Sequence, residues 1–154
     1  MNIHLDILKE LSLAEKLAKI SRLWKTVADA ELTPLGLTHS RWTALWKLRR
    51  LGDSVSQKCL AESLEIELAS LMRTLNQLEE QHLVVRHTCP HDKRARIVTL
   101  TNEGKAVLEN IENKVLSVRR TLLKQLDENE INHLNQLLDK IALNAHKAID
   151  EKAQ

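Results

Sequence analysis

The sequence predicts a mainly α-helical chain with one short β-hairpin near its middle. Three observations carry this. Helix breakers are rare: three Gly and two Pro in 154 residues leave little room for loops or a many-stranded sheet. Apolar residues recur at steps of three and four along most of the chain, the period of a helix buried on one face. One stretch departs from that period, where the β-formers Val84, Val85, Ile97, Val98 and Thr99 flank a basic segment containing Pro90.

The first helix is expected over residues 6–32. Leu13, Leu17, Ile20, Trp24 and Val27 form one apolar stripe, which Leu8 and Leu11 extend towards the N-terminus. Thr33, Pro34 and Gly36 end it. Thr38 is placed to cap a second helix over 39–51, with Trp42, Leu45, Trp46 and Leu48 on its buried side. Gly52, Asp53 and Ser54 read as a turn, and Ser56 as the cap of a short helix over 57–63.

A fourth helix is expected over 68–81, after a tight connection. Leu68, Leu71, Leu75 and Leu78 are predicted to face inward, and Ala69, Ser70, Arg73, Asn76 and Gln77 outward. That outer face holds small residues, amides and one Arg, with Glu79 and Glu80 only at its far end. A merely solvated helix carries mixed Glu and Lys throughout. Arg, Asn, Gln and Ser are the residues that read base edges, whereas phosphates repel carboxylates. Two strands, 83–88 and 96–100, then enclose the loop Cys-Pro-His-Asp-Lys-Arg-Ala, whose tip is expected to carry Lys93, Arg94 and Arg96. Short helix, turn, longer helix and basic hairpin together are the pattern of a winged helix-turn-helix.

Thr101 and Glu103 open a long helix over 102–126, with Leu108, Ile111, Val115, Val118, Leu122 and Leu126 in its seam. Asp127 and Glu130 are spaced as a capping box for a last helix over 128–151, marked by Ile131, Leu134, Leu138, Ile141, Ala145 and Ala148. The small central elements cannot cover all these terminal seams, so the seams are expected to meet across a two-fold axis. Residues 1–32 and 102–154 are then an intertwined helical dimerisation module, and 33–101 a DNA-binding module. A dimer also suits DNA, since two recognition helices about 34 Å apart read a palindrome.

Composition narrows the function classes. A net charge of +2 is too small to mark a nucleic-acid binder by itself, so charge placement carries that reading. No nucleophile–base pair, Gly-rich phosphate loop or paired-carboxylate spacing suggests an enzyme. Cys59 and Cys89 lack framework spacing and are expected to be reduced thiols. His87, Cys89 and His91 alternate, but Pro90 interrupts the strand and no fourth metal ligand is evident. No apolar run approaches a membrane span and no signal-peptide layout opens the chain, so a cytoplasmic protein is expected. An alternative remains open: a helical protein-interaction adaptor that kept the fold without reading DNA.

The chain resembles the MarR family of bacterial transcriptional regulators, most closely its SlyA subgroup. The wing signature Asp-x-Arg, five residues, Leu-Thr, two residues, Gly stands as Asp92, Arg94, Leu100, Thr101 and Gly104. The run from Ser70 to Leu75, followed by Gln77 to Glu80, is similar to the SlyA recognition helix. Leu37 and Thr38, with Trp42 four residues on, resemble the start of its second helix. The resemblance implies a homodimer that binds double-stranded DNA, with the recognition helix in the major groove and Arg94 in the flanking minor groove. It implies DNA contact by Ala69, Ser70, Arg73, Thr74 and Gln77 and, from the wing, by Lys93, Arg94 and Arg96. Asp92 is expected to orient the wing by pairing with a nearby Arg. AT-rich palindromic operators are implied, as is relief of binding by small aromatic carboxylates, with Trp42 and Trp46 as the expected pocket. No cofactor is expected. The chain departs from the subgroup at Lys93, where Arg is usual, at His82, where a turn Gly is usual, and at Glu67-Leu68-Ala69.

Overall fold

The computed structural model describes the backbone from Ile3 and the side chains from Ser12, both through Gln154. The side chains of Leu8 and Leu11 therefore lie outside the described residues. The chain forms two units, the first reaching to Val118 and the second covering Arg119–Gln154.

In the first unit, α1 (Ile3–Leu32) runs into a 3-10 turn, Thr33–Leu35. Gly36 closes that turn in the left-handed region, φ 72°, where its N–H donates to the Thr33 carbonyl at 2.9 Å. Helix α2 (His39–Arg50) starts at Thr38, whose extended backbone lets its hydroxyl accept from the Arg41 amide. It ends as Gly52 and Asp53 donate back to the Arg49 and Leu48 carbonyls.

The turn expected after Gly52 is partly a strand. Strand β1 (Ser54–Ser56) precedes α3 (Gln57–Leu64), which Ser56 caps through the Cys59 amide at 3.1 Å. Helix α4 (Leu68–Glu80) follows, then β2 (Val84–Cys89), β3 (Asp92–Leu100) and α5 (Asn102–Leu122). The sheet is three-stranded and antiparallel in the order β1-β3-β2, not the two-stranded hairpin expected. Its third strand pairs Ser54 with Thr99 and Val55 with Val98, and the Ser54 and Thr99 hydroxyls lie 3.0 Å apart.

Helix α2 packs against α3 and α4, and α4 against β2. Leu45, Leu48, Leu60, Leu71, Leu75 and Leu78 are fully buried there, closed off by Val84 and Val98 from the sheet. Leu, Ile and Val fill this core because the sequence has no Phe or Tyr. Trp42 joins the core, whereas Trp46 is only half-buried.

The end of the wing is fastened to α5. The Thr101 hydroxyl donates to the His82 carbonyl at 2.6 Å and accepts from the Gly104 amide at 2.9 Å. Further along, α5 is linked to α1 by Lys114–Glu31 at 3.5 Å, and to α2 by Arg49–Glu112 at 3.6 Å. Such exposed pairs fix orientation more than they add stability.

The long helix over 102–126 stops earlier than its apolar spacing suggested. It ends at Leu122, and the chain turns through Gln125 at φ 75°, leaving Leu126 outside the helix. The second unit is dominated by α6 (Glu128–Lys152). Its capping box is complete: Asp127 accepts from the Glu130 amide at 2.8 Å, and Glu130 from the Asp127 amide at 2.9 Å. No residue of α6 is buried within the single chain, and Leu134, Leu138, Ile141 and Ile149 all stand exposed. The N-terminal seam behaves alike, with Leu13 and Ile20 each 56% exposed. No described helix is long and apolar enough to cross a membrane.

Candidate nucleic-acid interface

Helices α3 and α4 meet in a tight turn. Glu65 takes the left-handed conformation, φ 56°, and Ile66 donates back to the Ala61 carbonyl at 3.1 Å. Glu67 then occupies the N-cap of α4 with extended backbone and no side-chain cap. The other end of α4 closes with paired bonds, His82 to the Glu79 carbonyl at 3.0 Å and Leu83 to the Leu78 carbonyl at 2.9 Å. His82 therefore holds the positive φ, 61°, usually given to Gly. The recognition helix is thus fixed at both ends by backbone bonds.

Its outer face is not quite the one expected. Ala69, Arg73, Asn76 and Gln77 are exposed and Ser70 is half-buried. Thr74 is a correction: it is 7% exposed, lies among the leucines of the buried stripe, and donates its hydroxyl to the Ser70 carbonyl at 3.3 Å. Leu68 is the reverse correction. Its spacing predicts an inward side chain, but it is 44% exposed and lines a groove with Ala61 and Glu62 of α3. Met72 is also exposed, at 42%.

Sequence reasoning missed the tie between α4 and the wing. Arg86 on β2 donates from Nε to Glu79 Oε2 at 2.6 Å and from a terminal nitrogen to Asn76 Oδ1 at 2.5 Å. Asn76 is thereby engaged, and Glu79 is neutralised at the distal end of the helix. The strand alternation held a signal for this: Arg86 lies two residues from buried Val84, on the face turned to α4.

The wing also differs in detail. Its tip is Pro90 and His91, because β3 begins at Asp92 rather than Arg96. Lys93 and Arg94 therefore belong to the strand. Cys89 pairs with Asp92 but Thr88 pairs with Arg96, so residues 93–95 form a bulge on β3. Lys93, Arg94 and Arg96 are all exposed. Asp92 orders the bulge through the backbone: its carboxylate accepts from the Arg94 amide at 3.0 Å. Among the described residues no Arg side chain reaches it, in contrast to the expected ion pair. Cys59 and Cys89 are free thiols, exposed and half-buried respectively, and His87, Cys89 and His91 are not gathered into a metal-holding group among the described residues.

A second feature lies between α1, α2 and α5 within the first unit. A cavity of about 370 Å³ is lined by Trp24, Lys25, Ala28, His39, Trp42 and Val115, among others. Trp46, expected beside Trp42, does not line it. One carboxylate organises the wall: Asp29 Oδ1 lies 2.7 Å from His39 Nδ1 and accepts from Trp42 Nε1 at 2.9 Å. The His39 and Trp42 rings meet edge to face at 5.4 Å. Burial pushes the Asp29 carboxyl up, but the hydrogen bonds from Trp42 and His39 and the charges of His39 and Lys25 outweigh it, so its pKa is lowered. The cavity therefore offers apolar rings with a cationic Lys25 at one side.

A family model described as MarR family matches residues 35–95, which run from just before the second helix into the first part of β3. Among solved structures, the chain is similar to transcriptional regulator PA3341 at 36% identity and a TM-score of 0.81, covering 88% of this chain and 98% of that one. It is also similar to a Cys-to-Ser variant of MarR from E. coli complexed with operator DNA, at 26% identity and a TM-score of 0.77, covering 86% of this chain and 95% of that one. BpsR from Bordetella bronchiseptica, whose DNA binding is regulated by 6-hydroxynicotinic acid, shares the fold at 21% identity and a TM-score of 0.75, covering 85% and 98% of the two chains. With a three-stranded winged helix in place, a family match across it, and agreement over nearly the whole of a regulator 36% identical, the chain belongs to the MarR family of transcriptional regulators.

Proposed function

We propose that this protein is a dimeric, sequence-specific DNA-binding regulator of the SlyA type that reads AT-rich palindromic operators. The observation that carries the reading is the Arg86 clamp. It ties a recognition helix presenting Arg73, Ser70 and Gln77 to the β2 strand of a wing presenting Lys93, Arg94 and Arg96. In this reading α4 enters the major groove, where Arg73 donates to a guanine edge. Arg94 enters the adjacent minor groove, and Lys93 and Arg96 meet phosphates.

Dimerisation is assigned to α1, α5 and α6, corresponding to residues 1–32 and 102–154, with 33–101 as the DNA-binding module. The exposed Leu13, Ile20, Leu138 and Ile149 support this, since a soluble monomer rarely leaves such long apolar seams bare. The effector reading uses the cavity beside Asp29. A flat aromatic ring fits against Trp24 and Trp42, and its carboxylate would face Lys25. BpsR, regulated by an aromatic acid, shares this fold.

Fluorescence anisotropy on an AT-rich palindrome and a scrambled duplex, over a salt series, tests the proposal. The expected result is preference for the palindrome, with log Kd rising steeply with log salt, a slope of about 0.9 per neutralised phosphate. Added salicylate is expected to quench Trp emission and weaken the complex together. Salt-insensitive binding without preference would instead support the protein-interaction adaptor.

A further inference from the structure

The first two turns of α4 are where a helix-turn-helix places side chains against base edges. In this chain Leu68, Ala69, Met72 and Arg73 are exposed there, Ser70 is half-buried, and Leu71 and Thr74 are buried. Three of the four exposed side chains are therefore apolar. Leu68 and Met72 stand at i and i+4, forming one row beside the Ala69–Arg73 row on the same face. Both are large and leave more than two-fifths of their surface in water. Neither is required there by the fold, because the core of α4 is closed by Leu71, Thr74, Leu75 and Leu78.

What covers this row follows from its position. It is continuous with Arg73, and the clamp of Arg86 on Asn76 and Glu79 occupies the carbonyl oxygen of the neighbouring amide. In the major groove the bases present donors, acceptors and one apolar group, the C5 methyl of thymine. A water-exposed Leu–Met row turned to that groove has only this group to bury against.

We infer that Leu68 and Met72 read thymine methyl groups, so that part of the operator preference is for the methyl itself and not for the hydrogen-bonding edge of the A·T pair. This rests on the DNA-binding reading above, and names the chemistry by which that site discriminates. Arg73 supplies a guanine contact and Lys93, Arg94 and Arg96 supply affinity. The Leu68–Met72 row separates thymine from cytosine and from any base lacking the methyl.

The test uses the full-length protein. Duplexes with a random core are put through in vitro selection, and the enriched sequence is synthesised with dT or with dU at each symmetric pair of positions. Deoxyuridine keeps every hydrogen-bonding group of thymidine and lacks only the methyl. The expected loss is about fourfold in affinity per contacted methyl, hence about fifteenfold for a symmetric pair. At that pair Leu68→Ala or Met72→Ala is expected to bring the dT/dU ratio close to one. Thermal melts of both variants check that these exposed truncations leave the fold intact. Equal affinity for dT and dU at every position would overturn the inference while leaving the DNA-binding reading standing. Full discrimination in both variants would overturn it as well, because the methyl would then be read elsewhere. A selection that enriches no sequence would sink the DNA-binding reading itself, and this inference with it.

Discussion

Gly104→Ala is the sharpest test of how the wing is joined to the long helix. Gly104 sits in the first turn of α5, where its amide donates to the Thr101 hydroxyl and that hydroxyl donates to the His82 carbonyl. A Cβ built at this position falls far inside contact distance of the Leu83 carbonyl oxygen, 3.0 Å from the Leu83 carbonyl carbon and 3.3 Å from a Leu100 methyl. The obstacle is backbone, so no side-chain rotation relieves it. The start of α5 would have to move on the order of 1 Å from the turn, which belongs to the upper part of the about 1–3 kcal/mol range for overpacked sites. Alanine returns at most about 1 kcal/mol through helix propensity, and less in a first turn. The net expectation is about 2 kcal/mol of destabilisation, or a Tm about 4–8 °C lower for a chain of this size. Differential scanning calorimetry at one fixed protomer concentration is the assay, since dimer stability varies with concentration. A variant melting within about 1 °C of the parent would refute the close-packed joint.

Three further outcomes are expected. Arg94→Ala should weaken operator binding by about 1–3 kcal/mol with the dimer intact by analytical ultracentrifugation, because the backbone amide that Asp92 holds is retained. Loss of the dimer in that variant would mean the wing has been misassigned. Leu138→Glu places a charge in the exposed seam of α6 and is expected to yield a monomer that no longer binds a palindrome; a fully active dimer would remove α6 from the interface. Asp29→Asn bears on acid stability. A carboxyl whose folded pKa is depressed stabilises the fold above its unfolded value, near 3.8, and that contribution is lost as pH falls through the lower folded value. Urea midpoints measured downward from pH 5 should therefore fall less steeply in the Asn variant, and parallel curves would show that Asp29 is not the group responsible.

Much of the fold was legible in the sequence because helices announce themselves by angle. Thr38, Ser56 and Asp127 stand where caps must be, and each accepts the amide three residues on. His82 stands where a turn Gly is usual, and it does hold a positive φ. What escaped was structure that needs only backbone. Strand β1 carries two serines around one valine, so no apolar alternation marks it, yet its ladder to β3 forms from main-chain groups. The wing strands are likewise longer than their β-branched runs, because antiparallel pairing extends to Cys89 and Asp92 without asking for apolar side chains.

The misreadings in the candidate site have one common physical root. Apolar spacing gives the direction in which a side chain leaves a helix, but not what lies opposite. Leu68 continues the run to Leu71, Leu75 and Leu78, yet it lines a groove beside Ala61 and Glu62 of α3 that leaves 44% of it in water. Thr74 breaks the apolar run, yet with Leu71, Leu75 and Leu78 it completes the i, i+3, i+4, i+7 stripe, and its hydroxyl is satisfied by the Ser70 carbonyl. Asn76 points outward as expected, but Arg86, ten residues later, occupies its carbonyl oxygen. Arg73 and Gln77 combine an outward angle with no fold-side side-chain partner among the described hydrogen bonds and ion pairs. A DNA-reading face is therefore not simply the polar side of an amphipathic helix. On the proposed reading it is the part of that side left unengaged once the neighbouring strand has taken what it needs, and here that remainder is Arg73 and Gln77 with an apolar flank.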